Sequence, residues 1–165
     1  MVRLQPVTPQ NVLLFKEARL RALQDAPSAF GSTYARESQF TDEFWITREE
    51  QRNPQQSILY MAVDAQAILG IAGCFIDSDD KTHANLISMW TAPESRQQGI
   101  GRILVEEIAA WARQRKANTL QLMVTSSNEP ALLFYQRLGF EPTGHTEPYP
   151  NDPALIEHQM ARPLL

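Results

Sequence analysis

Apolar positions along this chain recur with two spacings, and the switches between them predict its elements. Val2–Val7 reads as a short strand. Thr8-Pro9 looks like a helix start, with Thr8 as N-cap and Pro9 at the first helical position. Val12, Phe15, Ala18, Leu20 and Leu23 then support a helix to about Gln24, followed by a loop over Asp25–Gly31. Thr41-Asp-Glu-Phe-Trp opens a second helix with acidic residues in its first turn, and it ends before Asn53-Pro54. Ile58–Val63 and Ile68–Ile76 form a hairpin around Asp64–Ala67. A polar loop, Asp77–Thr82, leads to a fourth strand over Ala84–Thr91. From about Gly99 to Lys116 a third helix places Ile100, Leu104, Ile108 and Trp111 on one face. Thr119–Val124 is a strand, and Asn128 caps a helix that reaches Leu138 and stops at Gly139. Phe140–Thr146 and Leu155–Ala161 supply two last strands around the Pro-rich loop Glu147–Pro153. The order β-α-α-β-β-β-α-β-α-β-β predicts a mixed sheet with four helices on its two faces. With no linker in view, residues 1–165 read as one domain.

Composition narrows the function classes. With 165 residues and 43% hydrophobic content, the chain can bury a sizeable core. A net charge of −4 without a basic stripe argues against a nucleic-acid partner. No apolar run approaches membrane-spanning length and the N-terminal residues lack a signal-type apolar region, so the expectation is a cytoplasmic protein. Cys74, the one cysteine, lies in the apolar run Ile71–Ile76 and reads as a small buried hydrophobe rather than a nucleophile. No metal site is expected.

The segment Arg96-Gln-Gln-Gly99-Ile-Gly101-Arg102 carries the clearest chemistry. Two glycines two apart bare the backbone just before a long helix, where N–H groups and the helix dipole converge on an anion. A dinucleotide-binding turn would want a third glycine or an alanine three residues after Gly101, where Leu104 stands.

This cradle, following Met89-Trp-Thr-Ala-Pro-Glu94 and followed by Asn128 and by Tyr135 with Leu138-Gly139-Phe140, resembles the GNAT superfamily of acyl-coenzyme A-dependent N-acetyltransferases. The resemblance covers nearly the whole chain. It implies an α/β fold of the α+β kind, with a mostly antiparallel sheet of about seven strands splayed between strands 4 and 5. It also implies acetyl-coenzyme A as co-substrate and a primary amine as acceptor, and in many relatives two copies pair through the C-terminal strands. A non-catalytic acyl-coenzyme A-binding module is the alternative.

Carried onto this sequence, the resemblance implies roles for particular residues. Backbone N–H groups of Gln98, Gly99, Ile100, Gly101 and Arg102, after Gln97, would hold the pyrophosphate, with Arg96 and Arg102 as pairing cations. Met89 and Thr91 would bond the pantetheine arm through their backbones, the Met89 N–H facing the thioester carbonyl. Asn128 would cap its helix and reach the pantetheine amides. Tyr135 would protonate the departing thiolate. The family's common glutamate base, eleven residues before the cradle arginine, is replaced by Asn85. A neutral amide takes up no proton, which leaves Glu37, His83, His145 or a held water as candidates. Acceptor selection is expected from Phe30–Phe44 and Glu147–Pro153, with Tyr34, Glu37, Asn85 and Tyr149 as candidate contacts, beside Asp42 and Trp45.

Overall fold

The structure is a computed structural model, and it describes residues 1–164. Among these lie seven strands: β1 Arg3–Pro6, β2 Ser57–Asp64, β3 Ala67–Ile76, β4 His83–Thr91, β5 Thr119–Thr125, β6 Glu141–Tyr149 and β7 Asp152–Pro163. Five α-helices accompany them: α1 Val12–Asp25, α2 Tyr34–Glu37, α3 Asp42–Glu50, α4 Ile100–Gln114 and α5 Glu129–Arg137. The strands form one sheet in the order β1-β2-β3-β4-β5-β7-β6, antiparallel except for the β4–β5 pair.

Strand alternation divides the apolar residues between two cores. On β2, Tyr60 and Ala62 join Ala72 and Cys74 of β3 beneath Leu104, Ile108 and Trp111 of α4. Leu59, Met61 and Val63 point the other way and pack with Ile71, Trp90, Phe15 and Leu23 of α1 and Trp45 of α3. The α4–α5 core runs across to Leu120, Leu122, Val124 and Met160. The α1–α3 core takes no residue from β5, β6 or β7. The opposite face of β5 and β7 is therefore left free of that core, with Met123 beside Gln159 and Thr125 beside Glu157 in register.

Three local expectations are corrected. The first helix is capped by Asn11, not Thr8: Asn11 accepts the Thr8 N–H on its Oδ1 at 2.7 Å, and residues 9–11 form a turn ahead of Val12. A fifth helix appears in the single turn α2, started by the Thr33 hydroxyl accepting the Arg36 N–H at 3.2 Å. The Pro-rich stretch 147–153 is mostly strand, because β6 and β7 pair up to Tyr149–Asp152 around a tight turn. No helix of the described residues is long and apolar enough to cross a membrane.

Candidate active site

The site begins where β4 and β5 part. Their pairing covers His83–Thr119, Ala84–Leu120 and Asn85–Gln121, and no further. Past Asn85, β4 bulges: Ile87 pairs with Gly73 and Trp90 with Ile71, so Ser88 and Met89 together face the single residue Ala72. Ser88 takes a left-handed φ of 58°, uncommon for a side-chain-bearing residue. The gap opens into a cavity of about 900 Å³, lined by Arg96, Thr91, Met89, Asn128, Tyr135, Asn85 and Glu157 among others.

The cradle loop is built for close approach. Gln97 and Gly99 have φ of 64° and 82°, and Gly99 has no heavy atom within 4 Å of where a Cβ would stand. Gly99 is also the N-cap of α4 and brings no capping side chain, so the first N–H groups of a 15-residue helix stay available. Gly101 has a different task. A Cβ there would meet Phe134 at 2.8 Å and Met89 at 3.1 Å, so its bareness lets α4 pack against α5 and β4. Ile100 is buried in the core and offers the site only its backbone. Arg96 lines the cavity but is engaged: it donates to Asp25 Oδ2 at 2.5 Å and to the Thr91 carbonyl at 3.1 Å. The following residues, Gln97–Arg102, are not among those that line this cavity.

Tyr135 sits where its helix register with Asn128 suggests. Asn128 Oδ1 accepts the Ala131 N–H at 3.3 Å, and both residues line the cavity. The Tyr135 ring is packed edge-on against Phe134 and Phe140. Burial raises its hydroxyl above the ordinary phenol value, so the proton stays on oxygen across the neutral range.

The expected acceptor contacts mostly fall elsewhere. Tyr34 is exposed and outside the cavity lining. Glu37 is buried with Arg19, which donates to its two carboxylate oxygens at 3.0 and 2.9 Å. Burial works to raise the Glu37 carboxyl, but the Arg19 bonds and charge outweigh it and hold the carboxyl below its ordinary value. Such a locked carboxylate is a poor proton acceptor. Tyr149 is also buried and structural: its hydroxyl donates toward the Phe30 and Pro27 carbonyls, at 2.7 and 3.0 Å, pinning the loop over Pro27–Phe30. Asp42 pairs with Lys16, and Trp45 lies in the α1–α3 core. His83 pairs with Asp80 and His145 with Glu147, both outside the cavity lining. Asn85 does line it, and accepts the Gln121 side-chain N–H at 3.0 Å.

Three cavity residues escaped the sequence reading. Asp25 receives the Trp90 indole N–H at 2.9 Å, and that bond with the Arg96 guanidinium keeps its carboxyl low despite burial. Arg19 joins Glu37 to Ser88 and stacks over the Phe30 ring. Glu157 of β7 faces the cavity, and burial, then repulsion from Glu147, raises its carboxyl above the ordinary value. The alternation Glu157, Gln159 against His158, Met160 in β7 was a signal for a polar face, but not for its neighbours.

Set beside known proteins, residues 20–140 match the Acetyltransferase (GNAT) family. The chain belongs to that family. This GNAT chain is 49% identical over 49 residues to a streptothricin acetyltransferase of Streptomyces lavendulae, covering 30% of this chain and 26% of that protein. It is 30% identical over 100 residues to a putative ribosomal protein bS18-alanine N-acetyltransferase of Bacillus subtilis, covering 61% of this chain and 64% of that one. It thus spans less than two thirds of the length of the curated relatives it matches first. A solved structure of yncA from Salmonella typhimurium, described as a putative acetyltransferase with its cofactor acetyl-CoA, has the same fold. Its TM-score is 0.79 at 14% identity, over 100% of this chain and 95% of that one. The mostly antiparallel seven-stranded GNAT fold expected from the sequence is the one present, and its one parallel pair is β4–β5.

Proposed function

We propose that this GNAT protein transfers an acetyl group from acetyl-coenzyme A to a primary amine by direct attack within a ternary complex. The observation that carries this reading is the cavity between β4 and β5. It gathers Met89, Thr91, Asn128 and Tyr135 around one space that also takes Met123, Thr125 and Glu157 from the coreless face of β5 and β7. The gap leaves the outer edge of β4 without a strand partner beyond Asn85. An extended pantetheine arm is the natural occupant, since its amides satisfy strand-edge groups.

In this reading the bared N–H groups at Gly99–Arg102 hold the pyrophosphate, with the α4 dipole behind them. Arg96 serves as a strut that fixes the loop through Asp25 and Thr91. The Ser88–Met89 bulge turns the Met89 N–H toward the thioester oxygen, where a fixed donor stabilises the charge that develops on attack. Tyr135, kept protonated by its burial, gives its proton to the thiolate. The relatives named for streptothricin and for an alanine of ribosomal protein bS18 suggest an accessible primary amine as acceptor. A cytoplasmic location and pairing of two copies complete the reading. β6 is the outer strand of the sheet, and its free edge would serve such pairing.

The test is thiol release from acetyl-coenzyme A with streptothricin, an alanyl peptide and a lysyl peptide, alongside calorimetry of coenzyme binding. Acetylation of at least one amine is expected. Coenzyme binding with no thiol release on any amine would make this a binding module instead.

A further inference from the structure

Resting on the acetyl-transfer reading above, we propose that Glu157 is the base that takes the proton from the acceptor ammonium. Asn85 stands where a carboxylate is expected, and an amide takes up no proton. The other candidate acids and imidazoles are engaged or lie outside the cavity lining: Glu37 is held by Arg19, Asp25 by Trp90 and Arg96, His83 by Asp80 and His145 by Glu147, and His158 is not among the lining residues. Among the described residues, Glu157 is the cavity-lining carboxylate that no cation pairs.

Its place in the fold supports the role. β7 inserts between β5 and β6, so Glu157 lies beside Thr125, the last residue of β5, and both line the cavity. The Thr125 hydroxyl is turned away to the Ser28 carbonyl at 2.8 Å and leaves the Glu157 carboxylate unpaired. From β6, Glu147 faces Glu157 directly in register. Like charges directly opposite are unfavourable, and the pair is eased when a cation or a proton arrives. The charged groups turned toward this end are thus Glu147, with His145 against it, and across the cavity Arg19, Asp25 and Arg96, each already paired. Burial, then Glu147, raises the Glu157 carboxyl above its ordinary value, the direction that strengthens a carboxylate as a base.

The step balances. The ammonium gives one proton to the Glu157 carboxylate, and the freed nitrogen lone pair attacks the thioester carbonyl carbon. The C–N bond forms, the C–S bond breaks, and its electron pair leaves on sulfur. Tyr135 gives its hydroxyl proton to that sulfur, and the remaining extra proton on nitrogen returns to the Tyr135 oxygen. Glu157 then releases its proton to solvent, leaving an amide, a thiol and one proton.

The experiment is a pH–rate profile on alanine amide and a lysyl peptide for wild type, Glu157→Gln, Glu157→Asp and Glu147→Gln, with coenzyme affinity and melting followed in parallel. Glu157→Gln should lower kcat/KM about 10²-fold near neutral pH, the usual scale for a positioned base, with coenzyme affinity unchanged. Its residual rate should follow the amine's own deprotonation, and the low-pH limb of wild type should vanish. Glu157→Asp should restore part of the rate. Glu147→Gln removes a like charge, lowers the Glu157 pKa and should move that limb to lower pH. Glu157→Gln within about threefold of wild type across the profile, or a loss confined to KM with the limb retained, would overturn the assignment. Wild type that releases no thiol with either amine would overturn acetyl transfer to them, and the base with it; wild-type turnover tells the two failures apart.

Discussion

Arg19 and Ser88, 69 residues apart in the chain, are joined by a hydrogen bond of 2.9 Å from Nη1 to Oγ. The same guanidinium grips Glu37, whose side chain is 5% exposed, so α1, α2 and the β4 bulge are tied at one point. Arg19→Met would strand the Glu37 carboxylate in a buried setting, at a cost of about 3–5 kcal/mol. Arg19→Met/Glu37→Gln should recover part of that cost. In wild type the Glu37 carboxyl is held low, so its contribution is present above the ordinary carboxylate value and fades as pH falls through its folded value. In Arg19→Met burial, the largest influence on that carboxyl, is opposed only by Ser32 and the charge of Arg48, so the carboxyl should rise and acidification should relieve the defect instead. Denaturant melts at neutral and mildly acidic pH read both signs.

The two cradle glycines should fail differently. Gly101→Ala drives a methyl into Phe134 and Met89 and should destabilise the fold by about 1–3 kcal/mol. Gly99→Glu meets open space, but it carries a strained φ and sets a negative charge where the proposed cradle would hold the pyrophosphate. It should melt within a few degrees of wild type and lose coenzyme binding. Scanning calorimetry and titration calorimetry on both variants check the contrast.

Tyr135→Phe keeps the packing on Phe134 and Phe140 and removes only the hydroxyl. Turnover should fall by about 10²-fold or more, with coenzyme affinity unchanged. Because burial raises the Tyr135 hydroxyl, its ionisation should leave no limb in the wild-type profile through neutral pH. Steady-state kinetics with coenzyme calorimetry test this.

Cys74 is fully buried, and burial pushes its thiol up to about 12. The native protein should therefore not react with a disulfide reagent at pH 8, while the denatured chain should titrate one thiol. A native signal at the rate of the denatured one would contradict the packing of β3 under α4.

Much of the fold was legible because local chemistry agrees with it. The α4 pattern of Ile100, Leu104, Ile108 and Trp111 is buried as its period requires, and Gly139 ends α5 with a φ of 93°. The α1 start was misplaced because Thr8-Pro9 and Asn11 are both plausible caps, and tertiary position chose between them. Residues 147–149 read as loop because Pro148, Pro150 and Pro153 cluster there, although an outer strand such as β6 tolerates proline.

Of the candidate site, the sequence by itself determined the residues whose chemistry is local. Gly99 and Gly101 shape a backbone, Asn128 caps its own helix, and Tyr135 follows two turns later on the same face. Asn85 was legible in the same way as a departure from the glutamate the resemblance implies, because an amide side chain takes up no proton. Only the tertiary structure decided the rest. It withdrew Glu37 and Tyr149 into buried bonds with Arg19 and the Phe30 carbonyl, and it brought Glu157 to the cavity. The physical reason is that these outcomes depend on which strand lies beside which. β7 enters between β5 and β6, and residues distant in the chain acquire charges and donors that no local spacing records.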